Sequence, residues 1–124
     1  MYKQTRGYYN TKKQGKYDSN FEAGYGAGLE LRVKAKDIQS FETHQKIELN
    51  VGNFHICNYY IDFVVYHNDG TIEYVETKGY PTTVWRLKWK LFEALFSEKE
   101  GVKLTVVYQA TNRYKVPKAR RIKK

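Results

Sequence analysis

Three residues of the types that cleave phosphodiester bonds lie on two neighbouring segments. Asp62 belongs to the stretch 56–66, and Glu76 and Lys78 end the stretch 71–78. Both stretches are rich in β-branched and aromatic residues, which is typical of β-strands. The acids and the lysine therefore occupy strand positions at which apolar residues are common.

The sequence "NDG" at 68–70 predicts a hairpin turn between these strands, with Gly70 in a left-handed conformation. A three-residue loop pairs His67 with Thr71. Continuing this register along the two strands places Asp62 opposite Glu76. Their Cβ atoms should then lie about 5 Å apart.

Alternation along a strand assigns Glu76 and Lys78 to the face of Tyr74, and Asp62 to the face of Val64. Adjacent carboxylates repel, and a divalent cation such as Mg²⁺ offsets that repulsion through its preference for oxygen ligands. Lys78 could then orient a water molecule or neutralise charge on a phosphate. The alternative is a solvated surface trio, since an acid followed by Glu-x-Lys is a short and common pattern.

A helix is predicted over 82–96, with Thr82 or Thr83 as its N-cap. Its spacing predicts a buried stripe of Val84, Leu87, Leu91 and Leu95. Lys88 falls inside this stripe and could reach a bound phosphate, or its ammonium could extend to water. On the far side we expect solvated residues, namely Arg86, Lys90 and Glu93.

The first helix is predicted over 18–36, with Ser19 as N-cap and Glu22 three residues later, the pattern of a capping box. Glu22 could alternatively serve as a further metal ligand. The expected buried stripe consists of Phe21, Tyr25 and Leu29. The expected reason for three helical glycines is close approach of a neighbouring backbone; they are Gly24, Gly26 and Gly28.

Further strands are predicted over 40–51 and 102–109, which gives the order helix, three strands, helix, strand. This order predicts an α/β fold with one mixed sheet covered by helices. The length of 124 residues suits a single domain. We expect an N-terminal arm over 1–16, a domain over 17–110 and a C-terminal tail over 111–124.

Both arms are basic, with five lysines or arginines within 1–17, seven within 113–124 and no acid in either. All 13 acids lie within 18–100. This distribution favours a polyanionic partner, and the N-terminal tyrosines favour nucleic acid, although solubilising tails are the alternative. The predicted phosphate contacts of the arms are Lys12, Lys13, Lys16, Arg113, Lys118, Arg120 and Arg121.

The chain has one cysteine, Cys57, and no apolar run long enough to span a membrane. We therefore expect a soluble intracellular protein that has no internal disulfide. The three histidines, His44, His55 and His67, show no spacing typical of metal ligands and are expected to be surface or strand residues. Trp85 and Trp89, one helical turn apart, are expected to be packing residues.

The strand segments "YIDFVV" and "VETKG", together with "YDSNFEA", "FETHQKIEL" and "LKWKLFEALF", resemble the PD-(D/E)XK nuclease superfamily over residues 17–108. Within it, the chain resembles small phage- and prophage-encoded proteins largely of unassigned function. Ile61 stands where the superfamily motif usually has proline.

The resemblance implies a restriction-endonuclease-like αβββαβ core and a site that uses Mg²⁺ or Mn²⁺. It makes Asp62 and Glu76 metal ligands and Lys78 the catalytic lysine. Glu22 and the carbonyl of Thr77 would be further metal ligands. Two polar residues would point into the site, Gln45 and Lys88.

Small size, basic arms and a first-helix glutamate resemble the Holliday-junction resolvases of this superfamily. We expect an endodeoxyribonuclease selective for branched DNA, acting as a homodimer in the cytoplasm of a host cell, with Arg86 and Lys90 as additional DNA contacts. The alternatives are a less selective phage DNA-processing nuclease and a non-catalytic nucleic-acid-binding protein.

Overall fold

The structure is a computed structural model that describes residues 20–109 and 120–122. Its elements are, in chain order, α1 (Asn20–Lys34), β1 (Ser40–Val51), β2 (Phe54–Tyr66), β3 (Ile72–Lys78), α2 (Thr83–Phe96) and β4 (Val102–Tyr108). This order confirms the predicted αβββαβ arrangement. None of the helices in the described ranges is long and apolar enough to cross a membrane.

The four strands form one sheet in the order β1-β2-β3-β4. The first two pairings are antiparallel and β4 joins β3 in parallel. The parallel step follows from α2, which carries the chain back across the sheet before β4 begins. The sheet is therefore mixed, as the sequence predicts.

The hairpin between β2 and β3 has the predicted geometry. The amide of His67 donates to the carbonyl of Thr71 at 2.9 Å, and Gly70 has a φ of +93°. The observed pairs run from Tyr66 opposite Ile72 to Phe63 opposite Val75. One further step in this register would bring Asp62 opposite Glu76.

The two helices cover opposite faces of the sheet. On the face that we call the α1 side, Leu29 packs with Phe63, Val65 and Val75. On the face that we call the α2 side, helix α2 packs three aromatic residues against the sheet, namely Trp85, Trp89 and Phe92. They form a core with the strand residues Leu49, Tyr59, Ile61 and Val64.

The predicted stripe of α2 is wrong at its first two positions. Val84 is 66% exposed and Leu87 is 71% exposed, whereas Trp85 and Trp89 are buried. The helix has apolar residues on two faces, and the aromatic face packs on the sheet because large rings bury more apolar area. The packing role predicted for the tryptophans is confirmed. Thr82 is the N-cap, its hydroxyl accepting from the amide of Trp85 at 3.2 Å.

In α1, Leu29 is buried and the Tyr25 ring lies 5.3 Å from that of Phe63. Ser19, the predicted N-cap, lies outside the described residues. The prediction that a neighbouring backbone lies close to Gly24 and Gly28 is wrong, since an added Cβ at either position would meet no heavy atom within 4 Å. The structure offers no reason for glycine at these two positions.

Candidate functional site

The regular alternation of β2 is interrupted at Asp62. Ile61 packs on the α2 side and Phe63 on the α1 side, although residues two apart in a regular strand point to the same face. The prediction that Asp62 shares a face with Val64 is therefore wrong. The local turn of the strand directs the carboxylate of Asp62 toward Thr77, a neighbour of Val75 on the α1 side.

The adjacent strand β1 is irregular at the same level. Its pairing with β2 passes from Thr43 directly to Gln45, leaving His44 and Asp62 out of the ladder. His44 has a φ of +54°, a left-handed conformation that is uncommon for a residue other than glycine. The two irregularities bring the side chains of His44 and Asp62 together.

Asp62 is oriented by hydrogen bonds from Thr77. The amide and the hydroxyl of Thr77 both donate to Oδ2 of Asp62, each at 2.8 Å. The β2–β3 ladder ends at Phe63 and Val75. The hydrogen bond from the Thr77 amide to the Asp62 side chain takes the place of the next backbone pair. Thr77 thus belongs to the site through these two donors, while the ligand role of its carbonyl stays a prediction.

Glu22 of α1 lies on the other side of Asp62. Its side chain is buried, and its Oε2 lies 2.6 Å from Nε2 of His44. One ligand atom from each of Glu22, His44 and Asp62 lies within 4.8 Å of the others. His44 lies in a strand, as one of the two predicted alternatives for the histidines has it, but its place in this group is the main feature that the sequence did not reveal.

Glu76 points to the α2 side and is 4% exposed. Its Oε1 accepts a hydrogen bond from the hydroxyl of Tyr59 at 2.9 Å, and that hydroxyl accepts from Nε1 of Trp85 at 2.9 Å. Nζ of Lys78 lies 3.5 Å from Oε2 of Glu76 and 4.7 Å from the ring centre of Trp85. Tyr59 and Trp85 therefore hold the predicted Glu-x-Lys pair in place.

Burial raises the pKa of Glu76 to about 8, and the negative charge of Asp62 contributes to this increase. Lys78 and the Tyr59 hydroxyl oppose it. Burial also raises the pKa of Asp62, with the Thr77 hydrogen bonds acting in the opposite direction. The two carboxyls are close enough to disfavour double ionisation, which is the electrostatic situation that a bound cation relieves.

The donor set fits a divalent cation. Two carboxylates and one imidazole suit a first-row divalent ion, and carboxylates suit Mg²⁺. Hydrogen bonds from Thr77 orient Asp62 as outer-shell partners orient metal ligands. Glu22, His44 and Asp62 are thus the residues that could hold a metal, with Glu76 and Lys78 beside them.

The remaining predicted site residues of the domain have other contacts. Nζ of Lys88 is 3.3 Å from the carbonyl oxygen of Asn58, and Nε2 of Gln45 is 3.0 Å from that of Thr43. Gln45 follows His44 in the chain and is exposed, and its role in the site stays a prediction. Lys90 is exposed, but Arg86 is only partly so, and its buried Nε has no hydrogen-bond partner among the described residues.

Most predicted contacts of the arms lie outside the described residues, namely Lys12, Lys13, Lys16, Arg113 and Lys118. Arg120 and Arg121 are described and exposed, and Arg121 forms an ion pair with Glu98. Their role in DNA binding stays a prediction.

Comparison with known proteins identifies a family for the chain. No curated protein and no solved structure matches it. A family model described as "Protein of unknown function (DUF1064)" matches residues 6–115 and so includes all of the described helices and strands. The chain belongs to the DUF1064 family.

Proposed function

We propose that this protein is a metal-dependent nuclease that hydrolyses phosphodiester bonds in DNA. The observation that carries the proposal is the position of Asp62. Its carboxylate lies with Glu22 and His44 on one side and interacts electrostatically with Glu76 on the other. The candidate cation-binding group of Asp62 thus lies next to the pair of Glu76 and Lys78.

In this proposal, Asp62 and Glu22 hold a divalent cation such as Mg²⁺ or Mn²⁺, with Glu76 beside them. When bound, the cation lowers the pKa of a water molecule and neutralises charge on a phosphate oxygen. Thr77 fixes the orientation of Asp62 through two hydrogen bonds. Tyr59 fixes that of Glu76.

Lys78 supplies the positive charge that acts on the reacting phosphate. Its side chain is about one-fifth exposed, and its ammonium is held by Glu76 and by the face of Trp85. An ammonium in this position can stabilise the negative charge that develops on the phosphate or orient the attacking water. The partly buried setting strengthens this electrostatic effect relative to bulk water.

We further propose that the substrate is branched DNA, cut by a homodimer, since two symmetric cuts need two sites. The basic arms support DNA as the partner, because lysine and arginine bind phosphates whatever the base sequence. The resemblance of its motifs to those of resolvases supports branched DNA.

The test is a cleavage assay with purified full-length protein on a four-way junction and a linear duplex of equal length. We expect cleavage of the junction with Mg²⁺ or Mn²⁺ and none with EDTA. Equal cleavage rates on both DNAs would contradict selectivity for branched DNA and would favour a less selective nuclease. Binding of DNA without cleavage of any substrate would contradict the nuclease and favour the non-catalytic alternative.

A further inference from the structure

Each of the three histidines of the chain lies near at least one carboxylate within the described ranges, but only His44 belongs there to a group of three candidate metal ligands. Nε2 of His67 is 2.7 Å from Glu73, and Nδ1 of His55 is 3.8 Å from Glu48. His44 alone belongs to a group of three candidate metal ligands, with Glu22 and Asp62. The geometry therefore sets His44 apart from the other two.

The backbone at His44 also requires an explanation. A left-handed φ of +54° in the middle of an antiparallel strand is costly for a residue with a Cβ, and the ladder loses the pair of His44 and Asp62. Glycine would adopt this conformation more easily because it has no Cβ. A residue held there despite the cost is consistent with a use for the imidazole beside Glu22.

We propose that His44 is a direct ligand of the cation, completing a set of two carboxylate oxygens and one imidazole nitrogen. This deepens the proposed function, on which it rests for the role of the cation, and it specifies the class of metal. Mg²⁺ strongly prefers oxygen ligands, whereas an imidazole suits first-row transition ions. The site therefore binds first-row transition ions in preference to Mg²⁺, and Mn²⁺ is the ion of that class used to test this.

The ring nitrogen that takes the metal is Nε2, the atom that now contacts Glu22. The short contact of 2.6 Å draws the two ligands together before a cation enters. Thr77 restrains Asp62 in the same way from the opposite side. The ligands thus need small adjustments to close around an ion, and preorganisation of this kind raises affinity.

The experiment uses metal-free full-length protein titrated with Mn²⁺ and followed by electron paramagnetic resonance. Pulsed measurements on the bound Mn²⁺ report whether a nitrogen nucleus is coupled to it. We expect nitrogen coupling in the parent. His44→Ala should lose it and bind Mn²⁺ about 10- to 100-fold more weakly, the range measured when the surroundings of a metal ligand are altered. Mg²⁺ affinity should fall less.

Two further variants keep the result interpretable. His44→Gly relieves the left-handed backbone and should stay folded, and it should also lose the coupling. His55→Ala removes an exposed histidine on the same hairpin and should retain it. Bound Mn²⁺ without nitrogen coupling in the parent, or coupling that survives in His44→Ala, would overturn the inference.

A DNA cleavage assay separates this inference from the proposed function. Nitrogen coupling that depends on His44, in a protein that cuts no DNA, would support the metal site and contradict the nuclease. DNA cleavage equally supported by Mg²⁺ and Mn²⁺, in a protein without nitrogen coupling, would support the nuclease and overturn the ligand role of His44.

Discussion

Asp62 and Glu76 come from neighbouring strands at the same level of the sheet, but their surroundings differ. Asp62 is partly buried, accepts two hydrogen bonds from Thr77 and lies beside candidate metal ligands. Glu76 is almost fully buried, contacts Tyr59 and Lys78, and has a pKa of about 8. Asp62 is oriented by Thr77 beside the candidate metal ligands, while burial favours the protonated form of Glu76.

The two acids lie at one level of the sheet, yet their surroundings favour different protonation states. Two ionised carboxylates in proximity repel, so one of the pair keeps its proton until a positive charge arrives. Unequal environments separate their pKa values, as in other sites with paired carboxyl groups. Changes that make the two environments alike should therefore reduce the proposed activity.

The largest expected effect is the loss of DNA cleavage in Asp62→Asn and in Glu76→Gln. Either change removes a carboxylate from the pair, and we expect the cleavage rate to fall by at least about 100-fold, the scale of loss for one group that stabilises a transition state. Lys78→Met should behave similarly. Rates on a four-way junction with Mn²⁺ would measure these losses.

The matched control is Glu73→Gln, since Glu73 is a buried carboxylate on the same strand and lies away from the site. It should cleave DNA like the parent. Equal losses in all variants would show that the effect comes from weakened folding, and unchanged rates in all would contradict the site assignment.

A second effect concerns stability and pH. Without divalent cations, the free energy of unfolding should fall as pH rises from about 4.5 to about 8, because Glu76 ionises in the unfolded chain and resists ionisation when buried. Each unit of pKa difference corresponds to about 1.4 kcal/mol, so the fall should amount to a few kcal/mol. Above pH 8 this contribution becomes constant.

Urea denaturation between pH 5 and pH 9 would measure this dependence. Glu76→Gln cannot ionise, so it should lack the fall due to Glu76 and should exceed the parent in stability at pH 8. Asp62 is present in both proteins, but in the variant it titrates without the repulsion of an ionised Glu76, so the comparison reports on the coupled pair. Parallel stability curves for parent and variant would show that Glu76 ionises normally in the folded protein.

Tyr59→Phe should have a smaller effect on stability. The change removes the donor to Glu76 and leaves the buried Nε1 of Trp85 without its present acceptor. We expect a loss of about 1–3 kcal/mol in the free energy of unfolding, the cost of an unsatisfied buried polar group. Tyr60→Phe, at an exposed neighbour, is the control and should change stability very little. Equal stabilities of the two variants would contradict the proposed positioning of Glu76.

The smallest expected effect on activity belongs to His67→Ala. His67 contacts Glu73, which also accepts a hydrogen bond from Thr105 at 2.5 Å. Burial alone would raise the pKa of Glu73, but these two hydrogen-bond partners and the charge of Lys103 bring it below its ordinary value. The variant should lose about 1 kcal/mol of stability, with unchanged DNA cleavage. A loss of cleavage matching that of Asp62→Asn would contradict a purely structural role for this second histidine and carboxylate pair.

The sequence predicts the order of elements and the β2–β3 register well because both depend on local signals. The turn at 68–70 determines which residues of the two strands face each other, and the residues of β2 and β3 have strong strand propensity. The spacing of Asp62, Glu76 and Lys78 could therefore be interpreted before any coordinates were known.

Other features could not be predicted because they depend on tertiary packing. Nothing in the sequence near His44 signals a left-handed residue within a strand, so its approach to Glu22 was missed. The faces of α2 were misassigned because aliphatic and aromatic stripes compete on one helix. Preferring the larger rings of Trp85 and Trp89 would have identified the buried face.

The position of Mn²⁺ in a crystal of the protein, located by its anomalous scattering, would test the proposed metal site directly. We predict a strong peak bonded to Asp62 and Glu22, at roughly 2.0–2.3 Å from their oxygens, with Glu76 and Lys78 adjacent. A peak bound instead at His67 and Glu73, or no bound ion at saturating Mn²⁺, would contradict it.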